Sequence, residues 1–266
     1  DCKEQISKLG IPAEFWLKSI LSDENEKFLL LEDDMWFIEK TDFNKIDKLF
    51  SKTNLKLLKL ANFGNINTNY GRRVEITSKV EGIIPKLLVK NPNIFKHFAS
   101  NKFKVRSIIN KLLGINNDKF LLRYYTIYTV AGAVYSKDYY QFLWKDFNGK
   151  VNELKQLERA VSYLKIHQNK ILYSTFKKDR ITTSFSSSAT NMFDHIDFNV
   201  FRYNSILNQA WYDNLLDSMD NYPKDFADES ISKILNQARD NHASYAGWKK
   251  WKIMFEGRYK NIGHKL

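Results

Sequence analysis

Ten glycines and four prolines are all that punctuate 266 residues. Glycine turns a backbone by admitting positive φ, and proline by fixing φ and ending regular structure. A chain so short of both is neither a collagen nor a turn-dense sandwich, and is expected to run in fewer, longer elements. With 43% apolar and 15% aromatic residues it is too hydrophobic to stay disordered. One cysteine excludes an internal disulfide framework. No run of about 18 uncharged apolar residues occurs, so no spanning helix is expected. Such a chain must be held by burial of its aromatic and aliphatic side chains, and its length suffices for one large domain or two small ones. The chain begins at Asp1, with no basic and apolar leader visible, and Cys2 reads as an incidental thiol rather than a lipid anchor.

Residues 3–9 are helix-compatible with Gly10 as a stop, and Pro12 suits the first turn of a second helix over 13–21. The apolar runs 27–32 and 35–40, parted by Asp33 and Asp34, predict a hairpin. Thr41 or Asp42 caps a helix reaching about Phe50, with Phe43, Ile46, Leu49 and Phe50 at core spacing. Residues 55–61 suit a strand or a helix, the Asn-rich stretch 62–71 a loop, and 72–77 a strand. Beyond residue 79 the periodicity turns helical. Residues 102–113 predict a helix closed by Gly114, 118–147 a long aromatic helical stretch open to interruption near Gly132, and 151–177 an amphipathic helix. Ser and Thr over 182–188 mark a connection, followed by helices over 199–219 and 230–259. The expected fold is α+β and predominantly α-helical. A small N-terminal mixed unit with a short antiparallel hairpin, residues 1–78, precedes a larger basic helical domain, residues 79–266.

The net charge is +12, from 42 basic and 30 acidic residues. Lysine outnumbers arginine 33 to 9 in an Asn- and Ile-rich chain, the bias an AT-rich genome produces. Position says more than the total. Residues 61–180 hold 22 bases against 8 acids, whereas residues 1–60 hold 10 against 12. The excess is densest over 79–111, where Glu81 alone opposes Lys79, Lys86, Lys90, Lys96, Lys102, Lys104, Arg106 and Lys111. Lysines neutralise phosphates, and the interleaved Phe95, Phe98 and Phe103 can stack on unpaired bases. Lysine in preference to arginine suits diffuse backbone contact over base readout. The competing readings are a solvated helical face for the lysines and a core for the aromatics.

These residues point to a non-enzymatic structural or assembly subunit. It would contact nucleic acid or another polyanion through Lys86, Lys90, Lys96, Lys102, Lys104, Arg106 and Lys111. A second candidate is the tail, where Trp248, Lys249, Lys250 and Trp251 alternate as a protein-partner surface would. Its competing reading is a terminal helix that packs both tryptophans inward. The enzyme alternative is a hydrolase directed at glycans or nucleic acid, with carboxylates from Glu32, Asp33, Asp34 and Glu39 or from Glu14, Glu24 and Glu26. The stretch Leu9-Gly10-Ile11-Pro12-Ala13 resembles the opening of lytic transglycosylases and glucosaminidases. The Gly-rich stretch that should follow is missing, so no residue role is carried over. No HExxH, CxxC, GxSxG, GxxxxGK[ST] or GxGxxG pattern occurs, so no metal or cofactor is expected. Asp194, His195 and Asp197 more simply form a turn.

Overall fold

The computed structural model describes residues 13–32, 35–114, 117–145, 152–167, 170–183, 193, 195–216 and 226–265. Cys2, the predicted helix 3–9, Asp33, Asp34, the hydroxyl run 184–188 and Asp194 lie outside them. Two compact units emerge, one from residues 1–32 and 39–180, the other from 33–38 and 181–266.

The first unit is built on a six-stranded mixed sheet. Its strands are β1 (Lys27–Leu30), β3 (Leu57–Lys59), β4 (Gly71–Glu75), β5 (Val80–Pro85), β6 (Ala133–Ser136) and β7 (Tyr173–Phe176), in the order β1-β6-β3-β7-β5-β4. β3 lies at the centre, antiparallel to β6 and parallel to β7, with Leu57 facing Tyr135 on one side and Tyr173 on the other. Its helices are α1 (Ala13–Ser22), α2 (Phe43–Lys52), α3 (Pro92–Ala99), α4 (Val105–Leu112), α5 (Asn117–Leu122), α6 (Lys137–Trp144) and α7 (Glu153–Ile166). One core joins Leu57, Tyr135 and Tyr173 of the sheet to Phe95 and Phe98 of α3, Tyr139, Tyr140 and Leu143 of α6, and Leu157, Ala160 and Val161 of α7.

The second unit pairs β2 (Met35–Phe37) antiparallel with β8 (Ile181–Thr183), placing Trp36 opposite Thr182. Among the described residues three helices accompany this ribbon, α8 (Val200–Tyr212), α9 (Asp228–Ala238) and α10 (Tyr245–Ile262). Their core is aromatic, with Phe193, Phe198, Tyr203, Trp248, Trp251 and Phe255 around Ile231, Ile234 and Leu235.

These findings correct the expected fold class. Helix does not predominate over a small N-terminal sheet; a substantial mixed sheet draws strands from both sides of residue 78, and the β4–β5 hairpin straddles that position. The predicted 27–40 hairpin is corrected too, because β1 pairs with β6 and β2 with β8. The helix predicted over 118–147 contains β6, and the one predicted over 151–177 ends at Ile166 and gives way to β7. The residues of β6 and β7 are all buried, so neither strand shows the polar alternation that betrays a half-exposed one.

Turn chemistry has the same lesson. Asparagine and aspartate do the work that scarce glycine and proline leave undone. The side chains of Asp42, Asn91, Asn152 and Asn199 cap α2, α3, α7 and α8 by accepting from backbone N–H groups of the first turn. Two residues of the 62–71 loop show where glycine is still needed. Gly64 takes φ +66°, and a Cβ on Gly71 would overlap the Ile84 carbonyl oxygen where β4 meets β5.

Candidate functional site

A cleft of about 460 Å³ opens in the first unit between α2 and the tip of the β4–β5 hairpin. The Asp42 cap, accepting from the Lys45 N–H at 3.2 Å, sets the start of α2. Ile46 and Phe50 are its buried anchors. With that face inward, Lys45, Lys48 and Lys52 follow one another along one side of the cleft, joined by Lys40 and Thr41 from the preceding turn. The opposite wall is the hairpin tip, Thr77, Ser78 and Lys79. Thr77 pins that tip, its Oγ1 accepting from the Val80 N–H at 3.0 Å. The Lys79 carbonyl accepts from the Lys177 N–H at 3.0 Å, tying the tip to the end of β7. The floor is apolar, made by Ile46, Leu49, Val80 and Phe176.

Arg180 also lines this cleft and is only 8% exposed. Its backbone N–H donates to the Leu60 carbonyl at 2.8 Å, and its guanidinium lies 4.9 Å from the Phe176 ring centroid. One guanidinium nitrogen is 3.5 Å from Glu39, while Nε is buried with no hydrogen-bond partner among the described residues. A buried, incompletely paired cation is costly, and an incoming anion relieves the cost. Glu39 is held below the usual carboxylate range, first by its hydrogen bond and charge contact with Lys178 and then by Arg180 and Lys79. Asp42, the carboxylate among the lining residues, is likewise lowered, chiefly by the Lys45 backbone N–H it caps. No lining residue is a histidine or a cysteine. The volume falls in the range of roughly 300–1,000 Å³ common for ligand sites. The arrangement suits holding an anion that carries an apolar part.

The residues singled out from sequence stand elsewhere. Lys86, Lys90, Lys96, Lys102, Lys104 and Lys111 are exposed, on the segment running from the end of β5 through α4. Arg106 is half-buried, and its Nη1 donates to the Ala99 carbonyl at 2.7 Å, which commits it to the end of α3. None of the seven lines the cleft; Lys79 alone carries the basic segment into it. Phe95 and Phe98 are core, whereas Phe103 is exposed. In the tail, Trp248 and Trp251 are wholly buried in the second unit, so the exposed tryptophan patch expected of a docking tail is absent. Lys249 and Lys252 both reach Asp228, at 2.5 and 2.9 Å, and Lys250 is exposed. Asp23, Glu39, Asp42, Asp138 and Asp228 are held below the ordinary carboxylate range, and Glu39 is the one of these five that was a candidate for a hydrolase. Among the described residues no group of three His, Cys, Asp or Glu side chains could hold a metal ion, and no helix is long and apolar enough to cross a membrane.

The lysines of α2 were missed because they lie in a region whose overall balance is slightly acidic. Their spacing, with 45 and 48 on a helix already predicted and 52 just past its predicted end, was the available signal.

A second polar feature lies beside the Asn-rich loop. Lys59 of β3 is buried, its Nζ donating to the Thr68 carbonyl at 2.8 Å, Asn69 Oδ1 at 3.3 Å and the Tyr125 carbonyl at 3.4 Å. Asp179 accepts from the Asn62 and Phe63 N–H groups at 2.9 and 3.1 Å. Burial pushes the Lys59 ammonium down from 10.5 to about 7, with the Asp179 charge acting weakly the other way. Between those two values the unfolded chain holds a proton that the folded chain does not, so stability rises with pH. The expected slope from this group is about 1.4 kcal/mol per pH unit. Urea midpoints at pH 7.5 and 9 should diverge in the parent and converge in Lys59→Met; equal divergence in both would remove Lys59 as the cause.

No protein-family model matches the chain, and no curated protein or solved structure matches it either.

Proposed function

We propose that the protein is a non-enzymatic subunit that binds single-stranded nucleic acid in the cleft between α2 and the β4–β5 hairpin. The phosphates lie between Lys45, Lys48 and Lys52 on one wall and Lys79 on the other, and a base rests on Ile46, Leu49, Val80 and Phe176. The observation that carries this reading is the buried Arg180, its Nε unpaired, at a cleft rimmed by five lysines. Lysine walls give affinity without base readout, and an apolar floor accepts any base, so the binding is expected to be sequence-tolerant and salt-dependent.

The test is fluorescence anisotropy with labelled mixed-sequence RNA and DNA single strands over a salt series. The parent is expected to bind at low salt. The triple variant Lys45→Glu, Lys48→Glu, Lys79→Glu should lose at least about tenfold in affinity, with its salt slope smaller by about 2. All three side chains are exposed, so the variant should fold. Reversal of Lys96, Lys102 and Lys104 should leave the slope nearly unchanged. No binding by the parent, or a slope the triple variant does not alter, would overturn the reading. Competition by a mononucleotide as strong as by the strand would replace it with a small-anion site.

A further inference from the structure

The segment from β5 to the end of α4 carries a second surface, of different chemistry. Leu88, Ile94, Phe103, Val105, Ile108, Leu112 and Leu113 are all exposed there, Phe103 and Leu112 each to 81%. Single exposed apolar residues need no explanation, but this many within 26 residues do. The arrangement of α4 accounts for them. Val105, Ile108 and Leu112 form one stripe of that helix, and the stripe faces outward. The side turned inward sets Asn110, the buried residue of the helix, beside Ile109, which packs against the core of the unit.

Polar ties fix this setting. Asn101 Nδ2 donates to Ser107 Oγ at 2.9 Å, and the Ser107 N–H donates to Asn101 Oδ1 at 3.1 Å. Arg106 holds the Ala99 carbonyl. Just before the helix, Asn101, Phe103 and Lys104 all adopt positive φ, between 51° and 57°. That backbone is unfavourable for residues other than glycine, and here it projects the Phe103 ring into solvent. The exposed apolar stripe is therefore held in place by specific contacts.

The charge around the stripe indicates what covers it. Lys86, Lys90, Lys96, Lys102, Lys104 and Lys111 are exposed on the same segment, and no carboxylate occurs between Glu81 and Asp118. Apolar side chains that enter an acyl layer, interleaved along the chain with exposed lysines that reach back to negative headgroups, are complementary to an anionic bilayer surface. A protein partner would instead need an acidic groove shaped to one short helix and a projecting ring. We propose that this face docks the protein on anionic membranes, peripherally and reversibly, with Phe103, Ile108 and Leu112 inserted and the lysines at the headgroups. The assignment is independent of the nucleic-acid cleft, which shares none of these residues.

The experiment is co-sedimentation of the full chain with vesicles of phosphatidylcholine alone and of phosphatidylcholine with phosphatidylserine. Binding is expected only to the mixed vesicles, and to weaken with salt. The double variant Phe103→Asn, Leu112→Asn keeps the charge and places at 103 a residue that tolerates positive φ. It should bind roughly tenfold less or weaker, with an unchanged circular dichroism spectrum. The Lys45, Lys48, Lys79 reversal should bind vesicles as the parent does, so failure of this proposal and failure of the nucleic-acid reading are distinguishable. No binding of the parent to mixed vesicles at low salt would overturn the proposal, as would a double variant that binds equally well. A parent that sediments as a dimer, which the double variant abolishes, would assign the face to a second copy and overturn it too.

Discussion

Raising the pH past about 10 should unfold the sheet-containing unit within roughly one pH unit. Eight tyrosines of that unit, Tyr124, Tyr125, Tyr128, Tyr135, Tyr139, Tyr140, Tyr163 and Tyr173, have their phenols pushed above the ordinary value of 10, in each case chiefly by burial. Tyr124, Tyr140 and Tyr163 are raised to about 12. Several donate to groups that a phenolate would repel. The Tyr135 hydroxyl donates to the Thr129 carbonyl, that of Tyr139 to the Ile127 carbonyl, and that of Tyr125 to the Glu153 carboxylate. The rings also pack on one another, Tyr139 against Tyr163 with centroids 4.7 Å apart and Tyr135 against Tyr140 at 5.2 Å.

A group whose folded pKa is raised contributes stability below its unfolded pKa and loses it as the pH climbs above that value. Each tyrosine ionised in the unfolded chain but not in the folded one costs about 1.4 kcal/mol per pH unit. Eight together cost on the order of 10 kcal/mol one unit above pH 10, comparable to the whole stability of a domain. The rise contributed by Lys59 from pH 7 upward is overwhelmed there. The measurement is a pH titration that follows tyrosinate absorbance and far-ultraviolet circular dichroism together. Both signals should change in one cooperative step. A gradual tyrosine titration near pH 10 with the fold retained would refute the burial of this cluster.

The second large effect is expected at Trp251. Its ring is stacked on Phe255 at 4.8 Å and lies near Phe198 and Phe193, at 6.0 and 6.4 Å, at the centre of the aromatic core of the second unit. Trp251→Ala removes a wholly buried ring and leaves a cavity that these rigid neighbours fill poorly, at a cost of about 3–5 kcal/mol. Hydrogen exchange should show amides of α8, α9 and α10 losing protection, and Trp251→Phe should restore much of it. Trp251→Ala with stability unchanged within about 0.5 kcal/mol would return this residue to the surface role its sequence context suggested.

Some of the fold was legible because local chemistry determines it. A cap at Thr41 or Asp42, with Ile46 and Phe50 at helical spacing, announced α2, and the structure selects Asp42. The 62–71 loop and the strand that follows it were visible in asparagine, glycine and alternation. The large sheet was hidden for a physical reason. β3, β6 and β7 are three or four residues long and buried throughout, so Leu57-Leu58-Lys59 or Ala133-Val134-Tyr135-Ser136 looks the same as a stretch of buried helix. The scarcity of glycine and proline also misled, since Asn152 and Asn199 cap α7 and α8 with no proline in the first turn.

The sequence by itself determined the excess of lysine and where it is densest, the abundance of aromatic rings available to a core, and the helices announced by their caps. Tertiary structure decided which lysines share a site. Lys45 and Lys48 come from a stretch with slightly more acid than base. They meet Lys79 and Arg180 because β5 pairs with β7 while α2 anchors beside the hairpin through Ile46. It also decided that Trp248 and Trp251 face a core while Phe103 and Leu112 face solvent, a distinction that composition and spacing do not contain. Hydrogen-bond pairing between distant strands, and the choice of which helical face is covered, depend on residues far apart in the chain, so neither is written in any local pattern.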